Sequence, residues 1–203
     1  MFRSAVAPTP GPMPSLWLVR HGETEWARTG RHTGLTDVPL TATGRQQAID
    51  LAPRLAGHEF AEIVSSPLSR ALDTAQLAGF ADRVRVDSDL VEWDYGDDEG
   101  RTSAEISVDR PGWTIWTKGP EQGEPIEAIA TRVDRVIAAA RSVTGDTLCF
   151  AHGHVLRILA SRWIGLPPAS GALFALDTAT ISILGWDRAT PVIRRWNDGI
   201  DLD

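Results

Sequence analysis

One cysteine in 203 residues leaves this chain without a disulfide framework. That residue, Cys149, lies inside the apolar run Thr147-Leu-Cys-Phe-Ala151, where a thiol is packing rather than chemistry. Such usage fits a reducing compartment, and a cytoplasmic protein is the expectation. Long hydrophobic runs are missing too, since no stretch reaches the ~18 apolar residues of a membrane-spanning helix. Residues 1–15 carry one positive charge, no adequate apolar core and four prolines, so the pattern of a secretory signal is also missing. Residues 1–14 read as a disordered leader and 15–203 as a single domain, with Met13 a second candidate start ahead of the first strand. Positive charge is in deficit: the net charge is −7 and the pI near 5.2, which argues against nucleic acid or an anionic membrane as partner. Repeats are absent, and low complexity is confined to the leader. At 42% hydrophobic and 23% charged, the chain can bury the core of one α/β domain.

What is present is concentrated at strand ends. The apolar run Leu16-Trp-Leu-Val leads into Arg20-His21-Gly22, and Thr147–Ala151 leads into His152-Gly153-His154 before the helical pattern Val155 to Ile164. In an open α/β sheet, ligands bind beyond the carboxyl ends of strands, so both histidines belong at a cleft. Arginine offers a fork of donors to phosphate oxygens, and a neutral imidazole can attack phosphorus. Between these turns Glu62–Ser65 reads as a short buried strand that empties into Ser66-Pro67-Leu68-Ser69-Arg70, placing a second guanidinium near the same rim. A further element, Val84 to Val86 and on to Gly96, is expected to set Glu92 at another strand exit between apolar neighbours. Burial there disfavours the charged form and suits a carboxyl to acid work.

The segments RHGETEW, SPLSRALDTA, Glu92–Tyr95–Gly96 and AHGHVLR, in this order and spacing, resemble the histidine phosphatase superfamily, also called the phosphoglycerate mutase-like family. The resemblance runs from about residue 15 to 186. It implies a three-layer α/β/α sandwich around a mostly parallel sheet. It also implies that His21 becomes phosphorylated, that Arg20, Arg70 and His152 hold the phosphate oxygens, and that Glu92 protonates the leaving group. Thr33 and Gly34 match the Thr-Gly pair whose backbone touches the phosphate. Tyr95, Gly153 and His154 are further candidates for substrate contact. A phosphoryl transition state spreads negative charge over its oxygens, so fixed cations are the residues such chemistry needs. The glycine after His21 is expected to let the backbone approach the ligand closely.

Within that family, the segment Gly119-Pro-Glu-Gln-Gly-Glu124-Pro125 ahead of the long helical pattern resembles the loop of the phosphatase branch, which implies a phosphomonoesterase similar to the small broad-specificity or acid phosphatases of bacteria. Its partner is then a small-molecule phosphate monoester. A cofactor-dependent phosphoglycerate mutase is the alternative. Mutases carry Asn where this chain has Ala27 and Arg where it has Trp93, and no paired arginines lie between Tyr95 and Glu124. An inactive phospholigand-binding protein is disfavoured because all five chemical groups are intact. No cofactor is expected. His152-X-His154 lacks the accompanying Asp, Glu or His of a metal site, so His154 reads as a pocket-lining residue. His32 reads as a turn cap ahead of a pocket residue. Trp113 and Trp116 read as one face of a packed short helix ahead of a pocket wall, and His58 as an exposed helix-end residue. Helical patterns span Gly44 to Ala56, with a bend or early stop at Pro53, Leu68 to Ala78, and Pro125 to Ala140. Ala179–Gly185 and Pro191–Trp196 suggest a hairpin, and Asp198–Asp203 a short acidic tail.

Overall fold

A computed structural model describes residues 13–199; residues 1–12 of the expected leader and 200–203 of the acidic tail lie outside the described residues. The strands are β1 (Leu16–Arg20), β2 (Phe60–Ser65), β3 (Arg85–Val86), β4 (Asp146–Ala151), β5 (Ile181–Asp187) and β6 (Thr190–Asp198). They form one sheet in the order β3-β2-β4-β1-β5-β6. The first four are mutually parallel, and the expected hairpin β5–β6 adds antiparallel to β1. The helices are α1 (Glu25–Arg28), α2 (Ala42–Leu55), α3 (Ser69–Ala75), α4 (Ser103–Asp109), α5 (Ile115–Lys118), α6 (Ile126–Ser142) and α7 (Gly153–Trp163).

Strand alternation sorts these helices into two outer layers. Leu16, Leu18, Cys149 and Ala151 point to one face, where they pack with Ile129, Val133 and Val136 of α6 and Val155, Leu156 and Leu159 of α7. Val19, Leu148 and Phe150 point to the other, against Leu51 and Leu55 of α2 and Ala75 of α3. Each fully buried Leu or Ile side chain stabilises this arrangement by about 1.5–3 kcal/mol relative to exposure. Cys149 is fully buried, and burial pushes its thiol above the ordinary range, which agrees with packing rather than reactivity.

Three local expectations need correction. β3 is a two-residue edge strand with both residues exposed, and the chain then runs through a single 3₁₀ turn, Ser88–Leu90, so Glu92 stands in a loop rather than at a strand exit. The pattern from Leu68 gives a shorter α-helix that passes at Gln76 into a wider π-turn ending at Phe80, where Gly79 takes a φ of 97°. Pro53 does not end α2 early. It sits in the last turn, the ladder resumes with the Ala56 N–H donating to Ala52 O, and Ile49, whose carbonyl loses a donor, is solvent-exposed.

Candidate active site

Because β1 and β4 are adjacent and parallel with Arg20 in register with Ala151, the residues that follow them must emerge side by side. The His21 and His152 rings lie 5.1 Å apart between centroids. β2 flanks β4 with Ser65 opposite Phe150, so Ser66 leaves the sheet at the same end and meets His152. This end opens into a cleft of about 390 Å³ bordered by Arg20, His21, Thr33, Glu92, Tyr95, Gly153 and His154.

The tautomer of His21 follows from the hydrogen bond its ring makes. Its Nδ1 lies 2.7 Å from Gly22 O, and a carbonyl can only accept, so Nδ1 carries the proton and a neutral ring presents a bare Nε2. Burial holds this imidazole well below its ordinary range, and Arg70 and Arg20 push it further down. Gly22 is needed for a different contact from the one expected. A Cβ there would stand 2.3 Å from Gly44 O, so its bareness lets the turn abut the start of α2 rather than a ligand. The Gly22 N–H is taken by Thr74 Oγ1 at 3.0 Å.

Arg20 donates from one terminal nitrogen to Leu176 O at 2.5 Å, while its Nε is buried with no partner among the described residues. A buried guanidinium donor beside a neutral imidazole is suited to binding an anion. Gly153 keeps that slot open, because a Cβ on it would fall 3.5 Å from Arg20 Nε and 3.7 Å from Glu92 Oε2.

Glu92 is buried, and three main-chain N–H groups aim at its carboxylate. Trp93 and Val155 donate to Oε1 and His154 to Oε2, each at 2.9 Å. His152 supplies no side-chain cap to α7, so Glu92 satisfies the orphan donors of that helix start and lies at the positive end of its dipole. The sequence reading weighed burial alone and missed these donors. Oε1 accepts two of these bonds and Oε2 one, which leaves Oε2 the greater capacity to accept or carry a proton.

Arg70, His152 and Gly34 do not reach the cleft surface. Arg70 is fully buried, and its guanidinium donates to Thr33 O, Gly34 O, Thr36 O and, at 3.1 Å, to His152 Nδ1. That bond leaves the His152 proton on Nε2, 2.8 Å from Ser66 Oγ. Burial and then Arg70 hold His152 well below its ordinary range. The Gly34 N–H is held by the Glu99 carboxylate at 2.8 and 3.0 Å. These groups form a layer behind His21 and Thr33.

The outer wall differs most from expectation. His32 is buried and faces the cleft, its ring 4.8 Å from Tyr95 and 5.5 Å from Trp113, and it is no mere turn cap. Trp113 and Trp116 both border the cleft; Trp113 precedes the N-cap Thr114 of α5, so the two do not share a helix face. His58 follows α2 as expected but is half-buried, bound to Asp146 at 2.9 Å and packed on Trp17. Trp93, standing where mutases carry arginine, is core, with its indole donating to Glu124 O. Two cleft cations went unnoticed in the sequence. Arg157, 4.6 Å over the Trp116 ring, lies one turn beyond Gly153 on the same face of α7, a spacing that could have flagged it. Arg31, tied to Gly100 O at 2.6 Å, has no such signal. Among the described residues no group of three or more His, Cys, Asp or Glu is placed to hold a metal.

Residues 16–199 match the family model described as histidine phosphatase superfamily (branch 1). The chain belongs to the histidine phosphatase superfamily. It is 44% identical over 177 residues to a protein of Mycobacterium tuberculosis named acid phosphatase, covering 85% of this chain and 86% of that one. To the Saccharomyces cerevisiae protein named sedoheptulose 1,7-bisphosphatase it is 37% identical, covering 76% and 70% of the two chains. A solved structure of a Mycobacterium tuberculosis open reading frame product superimposes with a TM-score of 0.85 at 40% identity, over 92% of this chain and 98% of that one. The three-layer architecture around β1 and β4 is therefore that of this histidine phosphatase, and the cleft at their carboxyl ends is its candidate active site.

Proposed function

We propose that this histidine phosphatase is a phosphomonoesterase that hydrolyses small phosphorylated substrates through a phosphohistidine on Nε2 of His21. The observation that carries the reading is a neutral His21 with a bare Nε2, bordering the same cleft as Glu92 and as Arg20, whose buried Nε has no partner among the described residues. In the first step the Nε2 lone pair attacks phosphorus, the P–O bond to the alcohol breaks, and a proton on Glu92 Oε2 passes to the departing oxygen. In the second, water attacks the phosphohistidine, its proton returns to Glu92, and the P–N bond breaks to release inorganic phosphate. Arg20 donates directly to the phosphoryl oxygens. Arg70 and His152 act from one layer back, holding the Thr33–Gly34 turn and the strand ends in place, and the Arg70 guanidinium adds positive potential. Thr33, Tyr95, Gly153 and His154 line the substrate's path.

The acid phosphatase name of the Mycobacterium tuberculosis relative supports this reading, as does the match over 16–199 for a single catalytic domain spanning 15–203. We place the reaction outside metal catalysis because the Arg20 guanidinium at the cleft supplies the fixed positive charge that a metal ion would otherwise bring to the phosphoryl oxygens. The lone buried cysteine supports a cytoplasmic location; among the described residues no helix is long and apolar enough to cross a membrane. The mutase reading draws on Arg31 and Arg157, which put two cations on the cleft wall. Against it stand Ala27 on that wall and Trp93 in the core. Quenching turnover in alkali and mapping acid-labile phosphate tests the proposal. The label is expected on His21, with none in His21→Ala and no turnover by that variant; a phosphorylated residue elsewhere refutes it.

A further inference from the structure

The bond between Tyr95 and His154 fixes more than two side chains. The Tyr95 hydroxyl lies 2.6 Å from His154 Nδ1, and among the described residues it has no other partner. Tyr95 is buried, and burial followed by the charge of Glu92 pushes its phenol well above the ordinary range, so it keeps its proton. That proton needs an acceptor, and Nδ1 is the one within reach. A neutral imidazole that accepts at Nδ1 carries its own proton on Nε2. Burial holds His154 well below its ordinary range, with Arg157, His32 and Arg20 adding to the effect, so the ring stays neutral. Its Nε2 has no partner among the described residues. The ring is held edge-on to Trp93 and tilted against Trp116 at 5.1 Å, which leaves it little freedom to turn.

We infer that His154 is a specificity-determining donor: its Nε2–H binds an oxygen on the alcohol portion of the substrate, and Tyr95 is the positioning residue that fixes the donating tautomer. The ligand class is a phosphate monoester whose alcohol carries a second acceptor oxygen, such as a polyol phosphate, in preference to a plain alkyl ester. Selection follows because a site built around a fixed donor rejects an analogue that leaves that donor unpaired. The inference rests on the phosphomonoesterase reading for its substrate and on the Tyr95–His154 geometry for its tautomer.

Glycerol 3-phosphate and n-propyl phosphate form a probe pair of nearly equal size that differ in acceptor oxygens. The wild-type protein is expected to favour glycerol 3-phosphate in kcat/KM by at least about fivefold, the effect of one retained hydrogen bond. His154→Leu should bring the ratio near one, and His154→Gln, whose amide can donate, should restore most of it. Nitrogen-15 NMR of the wild-type protein should report His154 protonated on Nε2 and bare on Nδ1, and Tyr95→Phe should mix the tautomers. A wild-type ratio near one, a ratio unmoved in His154→Leu, or a proton on Nδ1 overturns the inference. Failure to hydrolyse p-nitrophenyl phosphate as well as both esters would instead overturn the phosphomonoesterase reading, with the NMR measurement still deciding the tautomer.

Discussion

Glu92→Gln separates what this carboxyl does for folding from what it does for chemistry. The native carboxylate accepts three main-chain N–H bonds on two oxygens. Glutamine has one carbonyl oxygen, and placed at the Oε1 position it keeps the Trp93 and Val155 donors. Its NH₂ then faces the His154 N–H, donor against donor. One buried N–H left unpaired costs about 1–3 kcal/mol. For a chain of this length each kcal/mol lowers Tm by ~2–4 °C, so a drop of ~2–12 °C is expected. The chemical loss should depend on the leaving group. With an alkyl ester the departing oxygen needs the proton, and removing a general acid lowers the rate by about 10²–10⁴. With p-nitrophenyl phosphate the first step needs little assistance, but the second still lacks its base. Phosphohistidine should then accumulate, giving a burst of one p-nitrophenolate per enzyme followed by slow turnover. Rapid mixing on both substrates, with a melting curve of the same preparation, checks all three expectations. Equal losses on both esters without a burst, or wild-type turnover, would refute the role assigned to Glu92.

The remaining predictions concern pH, metal and the runner-up reaction. His21, His32, His152 and His154 are all held below the ordinary 6.5, with burial the first cause in each. The unfolded chain therefore binds more protons than the folded one just below that value. Their contribution to stability is complete above about pH 6.5 and is lost as pH falls through the lower folded values, so Tm should drop between pH 7.5 and 5.5. A Tm that stays level or rises on acidification counts against the buried neutral imidazoles. Excess EDTA should leave p-nitrophenyl phosphate turnover unchanged, and a loss restored by magnesium or zinc would sink metal independence. Supplied with 2,3-bisphosphoglycerate, the protein should interconvert 3- and 2-phosphoglycerate far more slowly than it hydrolyses p-nitrophenyl phosphate. The reverse order would promote the mutase reading.

The centre of the fold was legible because β1 and β4 are apolar runs that stop at His-Gly, a pattern that marks both a strand and its exit. Glu92 was legible as a residue but not as a place. Its neighbours suggested a strand, whereas its position is set by the first turn of α7, sixty residues further along the chain. The outer wall was hardest to read. His32, Arg31 and Trp113 come from irregular backbone, and Trp116 from the four-residue α5, too short for a periodicity to assign a face. The layer behind His21 was hidden for another reason. Arg70 and His152 belong to recognisable motifs, but nothing in a motif reveals that carbonyls and Ser66 occupy their hydrogen bonds.

Helix α7 acts as a strut. Its eleven residues span ~16 Å, with Glu92 hung from one end and Trp163 wedged at the other. There the Trp163 indole donates to Gly185 O, Arg141 lies 4.3 Å over the ring, and Arg162 pairs with Asp134 of α6. His21, by contrast, hangs from β1. Alignment of Glu92 with His21 is thus a property of how one helix leans on one strand. A cavity cut at Trp163 would change the stroke between Glu92 and His21 from the far end of the lever, without touching any group that meets the substrate.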